Sequence, residues 1–72
     1  MRKLSEREIE ILGLVAKGFT NKEIAQSLYV ATNTVSSHIV RILEALEARD
    51  RTNAVYIALK KGMLKLTEED RK

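Results

Sequence analysis

The sequence predicts an all-α domain of four helices, and three observations carry that prediction. Ser5 with Glu8, and Thr20 with Glu23, each place a hydroxyl three residues before a carboxylate, the spacing of a capping box at a helix start. Apolar residues after each box recur at three- and four-residue intervals, the period of a helix face and not of a strand. Gly18 and Gly62 stand where helix-ending left-handed residues belong.

The first helix opens at Ser5. Ile11, Leu12 and Val15 form its main stripe, and Ile9, Leu14 and Ala16 widen the apolar surface, so packing on more than one side is expected. Lys17 suits the negative end of the helix dipole before Gly18 ends the run. Phe19, the single phenylalanine, reads as a plug between helices. Thr20 then caps a second helix from Asn21 to about Leu28, with Ile24, Ala25 and Leu28 on one stripe. Lys22 falls in its first turn, where a cation is mildly disfavoured by the dipole, yet free N–H groups beside a lysine suit an anion. Taken alone, such a lysine is more often a solvated charge.

Tyr29, Val30 and Ala31 form the next turn, with Val30 expected to be buried and Thr32 expected to cap the third helix. Val35, Ile39, Ile42, Leu43 and Leu46 follow the spacing i, i+4, i+7, i+8, i+11 and face the same core as the second helix. That assignment leaves Asn33, Ser36, Ser37, Val40 and Arg41 pointing outward. Glu47, Ala48 and Arg49 make a polar link, and Asp50 caps a fourth helix from Arg51 to Lys61 that Gly62 ends. Ala54, Val55 and Ala58 form one stripe of that helix; Thr52, Tyr56, Leu59 and Met63 form an adjacent one. The second stripe is either a partner surface or a packing face for the first helix and the C-terminal residues, and the pattern leaves both open. Met63, Leu64 and Leu66 are expected to fold back on the core. The domain therefore spans 1–66, with 67–72 a charged tail.

A chain of 72 residues makes one domain, near the lower size at which burial alone supports a fold. Without cysteine there is neither a disulfide framework nor a thiolate metal site, and the single histidine, His38, would leave zinc dependent on carboxylates. No metal or cofactor is expected. No apolar run approaches the roughly 20 residues of a membrane span, and Met1 is followed by Arg2, Lys3 and Leu4 rather than by a signal-peptide core. A cytoplasmic location with no membrane partner is the expectation. An enzyme fits poorly, because the acids sit at helix starts where caps and dipoles account for them, and there is no glycine-rich phosphate loop or nucleophile elbow.

The net charge of +3 favours an anionic partner without identifying it. Placement says more: the stretch from Thr32 to Leu43 contains no acid, and Arg41 is its one basic residue beside His38. A surface clear of carboxylates suits phosphates. A short helix packed across a longer one whose outer face is free has the geometry of a helix-turn-helix, which places its second helix in a DNA major groove.

Five spaced motifs carry a family resemblance over about Leu4 to Leu64: L-S-x-R-E-x-E-I-L from Leu4, A-x-G from Ala16, N-K-E-I-A from Asn21, T-V-x-x-H from Thr34, and R-x-R-x-x-A-V from Arg49. Together they resemble the DNA-binding domain of the LuxR-type (LuxR/FixJ/NarL/GerE) transcription regulators. The resemblance implies a four-helix bacterial domain that reads double-stranded DNA with its third helix and dimerises on DNA through its fourth, with Thr52, Tyr56, Leu59 and Met63 as the dimer face. It implies base-reading positions at Ser36, Ser37 and Val40 and phosphate contacts at Lys22, Thr34 and Arg41. Asn33 lies in the first turn of the third helix, where recognition helices reach base edges. His38 matches a family position and reads as a part-buried, hydrogen-bonded residue or a phosphate donor rather than a catalyst. In most members a receiver or ligand-binding domain precedes this one, so the chain is expected to be the effector half of a two-component response regulator or a stand-alone regulator. It departs from the pattern at Ser36 and Ala45, where lysines are usual, and at Glu47-Ala48, where G-V is usual. Weaker DNA binding is the expected consequence. The rival expectation is a protein-interaction module that keeps the fold without the DNA site.

Overall fold

Both hydroxyl–carboxylate pairs close into complete capping boxes in the computed structural model, which describes residues 2–65. In α1 (Glu6–Ala16) the Glu8 N–H donates to Ser5 Oγ at 3.1 Å, and the Ser5 N–H donates to the Glu8 carboxylate at 2.9 Å. In α2 (Asn21–Leu28) the same exchange between Thr20 and Glu23 runs at 3.1 and 2.8 Å. Asp50 caps α4 (Arg51–Lys60) by accepting from the Asn53 N–H at 2.8 Å, and Asn53 Oδ1 accepts from the Arg49 N–H at 3.0 Å. These are the helix starts that the residue types specify. There is no strand among the described residues.

The third start differs from expectation. Thr32 is already the first residue of α3 (Thr32–Leu46); the cap position is Ala31, and no side chain caps the helix. The cause is the turn before it. Tyr29 adopts a left-handed conformation at φ 60° and reverses the chain within one residue, so extended Ala31 leads directly into the helix. Val30 is exposed rather than buried: its N–H closes α2 on the Ala25 carbonyl at 3.0 Å while 36% of its surface stays accessible.

The four helices share one core. Ile11 and Leu12 of α1, Ile24 and Ala25 of α2, Val35, Ile42, Ala45 and Leu46 of α3, and Ala54 and Ala58 of α4 are buried together with Leu4. The helices α1 and α3 each pack on all the others, whereas α2 and α4 pack on that pair and not on each other. Phe19 is half-buried at the core edge. Met63 and Leu64 fold back against the core, the latter 3.9 Å from where a Cβ on Gly13 would stand. Leu66 and the tail at 67–72 lie outside the described residues. The helix α4 ends at Lys60, and Gly62 at φ 77° turns the chain so that the Met63 N–H reaches the Ala58 carbonyl at 2.8 Å.

One buried charge went unforeseen. Glu8 is only 4% exposed, and its carboxylate takes a two-pronged contact from the Arg2 guanidinium at 2.7 and 2.6 Å besides the capping bond. The Arg2 hydrogen bonds, helped by the Ser5 N–H, outweigh burial and hold the Glu8 carboxyl down at about 2.

Two expected outcomes follow from these contacts. Because folded Glu8 binds its proton less readily than the unfolded chain does, its contribution is fully present above the ordinary carboxylate range. It is lost as pH falls from about 4.5 to about 2. Glu8→Gln should therefore lower the urea midpoint at pH 7, and the gap to the native chain should close progressively below pH 4.5. The second concerns Glu47, which ends α3 in the left-handed conformation at φ 54°, where an L side chain costs about 1 kcal/mol relative to glycine. Glu47 is exposed, so Glu47→Gly should stabilise by about that amount, read as a melting temperature raised by roughly 4–8 °C. An unchanged or lowered melting temperature would show that Glu47 makes a compensating contact.

Candidate nucleic-acid interface

Burial of one side of α3 dictates what its other side can present. With Val35, Ile42, Ala45 and Leu46 buried and Ile39 and Leu43 packed at the core edge, the exposed residues of the first three turns are Thr32, Asn33, Thr34, Ser37, Val40 and Arg41. Val40 keeps 54% of its surface accessible, on the side of α3 turned away from the core. Lys22 is exposed in the first turn of α2. Neither Lys22 nor Arg41 forms an ion pair among the described residues. The first turn of α3 carries no acid and no side-chain cap, so no side chain of that turn offsets the positive end of its dipole.

Two of the sequence-derived site residues sit differently from the rest. Ser36 was expected to point freely outward, yet it is half-buried and its hydroxyl is engaged on both sides. It accepts from Asn21 Nδ2 at 3.2 Å and donates to the Thr32 carbonyl at 3.3 Å. Asn21 Oδ1 in turn accepts from the Arg51 guanidinium at 2.7 Å. One side-chain chain thus ties α3 to α2 and α2 to α4, the two helices that do not pack on each other. His38 is half-buried as well, and its Nδ1 is buried without a hydrogen-bond partner, so Nε2 is the nitrogen left to act toward an outside group.

The structure also reassigns Ala45 and Met63. Ala45 is 5% exposed within the core, so a lysine missing there removes nothing from the outward face of α3. Only Ser36 remains as a basic position vacated on that face. Met63 lies beyond Gly62 and packs on the core, which cuts the α4 stripe back to Thr52, Tyr56 and Leu59. Thr52 and Tyr56 are exposed and Leu59 is half-buried, with the Lys60 ammonium 5.9 Å from the centre of the Tyr56 ring. Of the two residues that sequence reasoning missed, Asn21 stands beside a capping box and Arg51 just after a cap. Both belong to quoted motifs, but nothing periodic links positions 30 residues apart.

A cleft of ≈ 440 Å³ opens between the end of α1 and the starts of α2 and α4, walled by Val15, Phe19, Asn21, Arg51 and Val55 among others, with no carboxylate or imidazole in its lining. Among the described residues no cluster of acidic, histidine or cysteine side chains could hold a metal. No helix among them is long and apolar enough to cross a membrane.

The family model for "Bacterial regulatory proteins, luxR family" matches residues 2–58. The chain belongs to the luxR family. It is 46% identical over 61 residues to the response regulator protein VraR of Staphylococcus aureus, covering 85% of this chain and 29% of that protein. VraR of Staphylococcus epidermidis matches with the same identity and coverage. A crystal structure of the response regulator ChrA, from a heme-sensing two-component system, superposes with a TM-score of 0.84 at 34% identity, over 89% of this chain and 32% of that one. The chain thus spans about a third of the length of these relatives. The four-helix arrangement expected from the sequence is that of a luxR-family helix-turn-helix domain, a DNA-binding domain of bacterial regulators.

Proposed function

We propose that this luxR-family domain reads duplex DNA by seating α3 in the major groove, as the DNA-binding part of a transcription-regulating response regulator. The observation that carries this reading is the division of α3 into a buried apolar face and an outward face free of carboxylate from Thr32 to Leu43. Ser37 and Val40 lie where base edges would pass, with Asn33 in the first turn. Lys22 and Thr34 flank them toward the two backbones, and Arg41 supplies the one full positive charge on the face. His38 reaches a phosphate only through Nε2, since Nδ1 is buried. A protein-interaction role is less well supported, because position 45, one of the two where a lysine is missing, belongs to the core.

Assembly on DNA follows from α4. Its inward residues are Ala54 and Ala58, while Tyr56 keeps 59% of its surface accessible. We place the two-fold contact of a DNA-bound homodimer on Thr52, Tyr56 and Leu59. A single helix face paired with its mate buries less than the roughly 1,200 Å² of a stable interface. The free domains are then monomeric, and adjacent inverted half-sites supply the effective concentration that makes the contact count. A receiver or sensor domain elsewhere in the same regulator would act by bringing two copies together.

Fluorescence-anisotropy titration of Arg41→Ala against duplex DNA should show a loss on the order of 1–3 kcal/mol, with a salt dependence shallower by about one unit if Arg41 holds a phosphate. Unchanged affinity at low salt would remove Arg41 from the interface, and no salt-dependent binding of the native chain to any duplex would favour the interaction-module role. Tyr56→Glu keeps α4 intact, since a glutamate four residues before Lys60 supports the helix. It should abolish cooperative binding to paired half-sites while leaving a single half-site nearly unaffected. Equal losses on both would move the dimer contact away from Tyr56.

A further inference from the structure

Tyr29 holds the most exposed large hydrophobic side chain among the described residues, with 94% of its surface accessible. It also sits at φ 60°, in the left-handed region where an L side chain crowds the following carbonyl and where bulky residues are rarest. Its backbone N–H is spent on closing α2 through the Ala25 carbonyl, and its phenol has no hydrogen-bond partner among the described residues. The ring thus carries a conformational cost and returns no packing inside the domain.

Its place in the chain says what can meet it. Tyr29 stands three residues before Thr32, the first residue of α3. At about 3.3–3.6 Å per residue its Cα lies within roughly 11 Å of the helix start, and a major groove is about 12 Å wide. A residue that near the start of a helix seated in the groove is within reach of the groove's rim, where the phosphates run. From Tyr29 to Thr34 every residue is exposed and none is charged, so this run carries the outward face of α3 back into the turn. Phosphate oxygens accept hydrogen bonds, and a phenol supplies one O–H donor. We infer that Tyr29 is a further DNA-contacting residue: its phenol donates to a backbone phosphate at the rim of the groove that α3 enters, a contact that adds affinity with neither sequence preference nor salt dependence. A protein partner suits the site less well, because hot-spot aromatics sit within a ring of water-excluding contacts, and beyond Val30 this run is small or polar. The inference rests on α3 lying in the major groove.

The test is fluorescence-anisotropy titration of the full chain on two labelled duplexes, a random-sequence pool and a duplex enriched from it by the native chain, at several salt concentrations and with melting temperatures measured alongside. Tyr29→Phe keeps the ring and removes only the hydroxyl. It should weaken binding to both duplexes by about fivefold, the worth of one hydrogen bond, and keep the native salt dependence, because a phenol displaces no counterion. Tyr29→Gly should lose at least as much affinity while its melting temperature rises by roughly 4–8 °C, since glycine relieves the left-handed strain. Weaker binding beside a more stable fold is a pair of changes that a packing role does not produce. Native affinity for Tyr29→Phe, a loss confined to the enriched duplex, or a changed salt dependence would overturn the inference and leave the groove reading to stand on Arg41→Ala. A lowered melting temperature for Tyr29→Gly would overturn it too, by showing that the ring supports the fold. A native chain that is folded by circular dichroism and binds neither duplex would overturn the groove reading and this inference with it.

Discussion

Burial of the inner face of α3 is the contact on which the rest of the molecule depends. Val35 and Ile42 are at most 1% exposed, and Ile11 of α1 and Ile24 of α2 are buried to the same degree. Each such side chain contributes roughly 1.5–3 kcal/mol by leaving water, a large share of the stability open to a chain of 72 residues. Because successive residues of a helix are turned by about 100°, burying this set leaves no freedom over which residues face away. The outward display of Asn33, Ser37, Val40 and Arg41 is therefore a consequence of the core. Any substitution that rotated α3 to relieve a packing fault would also move these outward side chains.

Small residues set how closely the other helices approach. Ala25, Ala45, Ala54 and Ala58 are all buried, so α2, α3 and α4 each bring backbone near the core at one or two places. For α4 this has a second effect: with alanines turned inward, its larger Tyr56 is left outside, on the face proposed above to meet another copy of the domain. The same economy explains why α2 and α4, both seated on the α1–α3 pair, are joined by a side-chain bridge from Arg51 to Asn21 rather than by packing.

Charge is arranged to serve helix ends and one face. Glu8 and Glu23 complete capping boxes, and Asp50 caps α4, so these acids are held at helix starts and away from the outward face of α3. The exception to good helix-end chemistry is the use of Tyr29 and Glu47 at left-handed positions, φ 60° and 54°, where glycine or asparagine is easier. Both flank α3. Both are exposed, so each supplies chain reversal without any packing in return.

Local rules were enough for the sequence by itself to determine the number of helices, three of the four starts, both glycine stops, and the buried stripes of α1, α2 and α3. Capping needs only residues three apart, and a helical stripe needs only residues within two turns, so both are written in short stretches of chain. The outward residues of α3 were legible for the same reason, as the complement of its stripe. The tertiary structure alone decided four matters. Thr32 yielded the cap to Ala31 because the backbone of Tyr29 turned left-handed. Ala45 proved to be core because α3 packs on all three other helices. Glu8 was buried under Arg2 rather than solvated. Ser36 lost its freedom to Asn21, which Arg51 orients from a helix 30 residues further along. The burial of Ala45 and the tethering of Ser36 depend on what distant segments place nearby, while the cap at Ala31 and the Arg2–Glu8 pair depend on how a short loop folds back; no helical period records either kind.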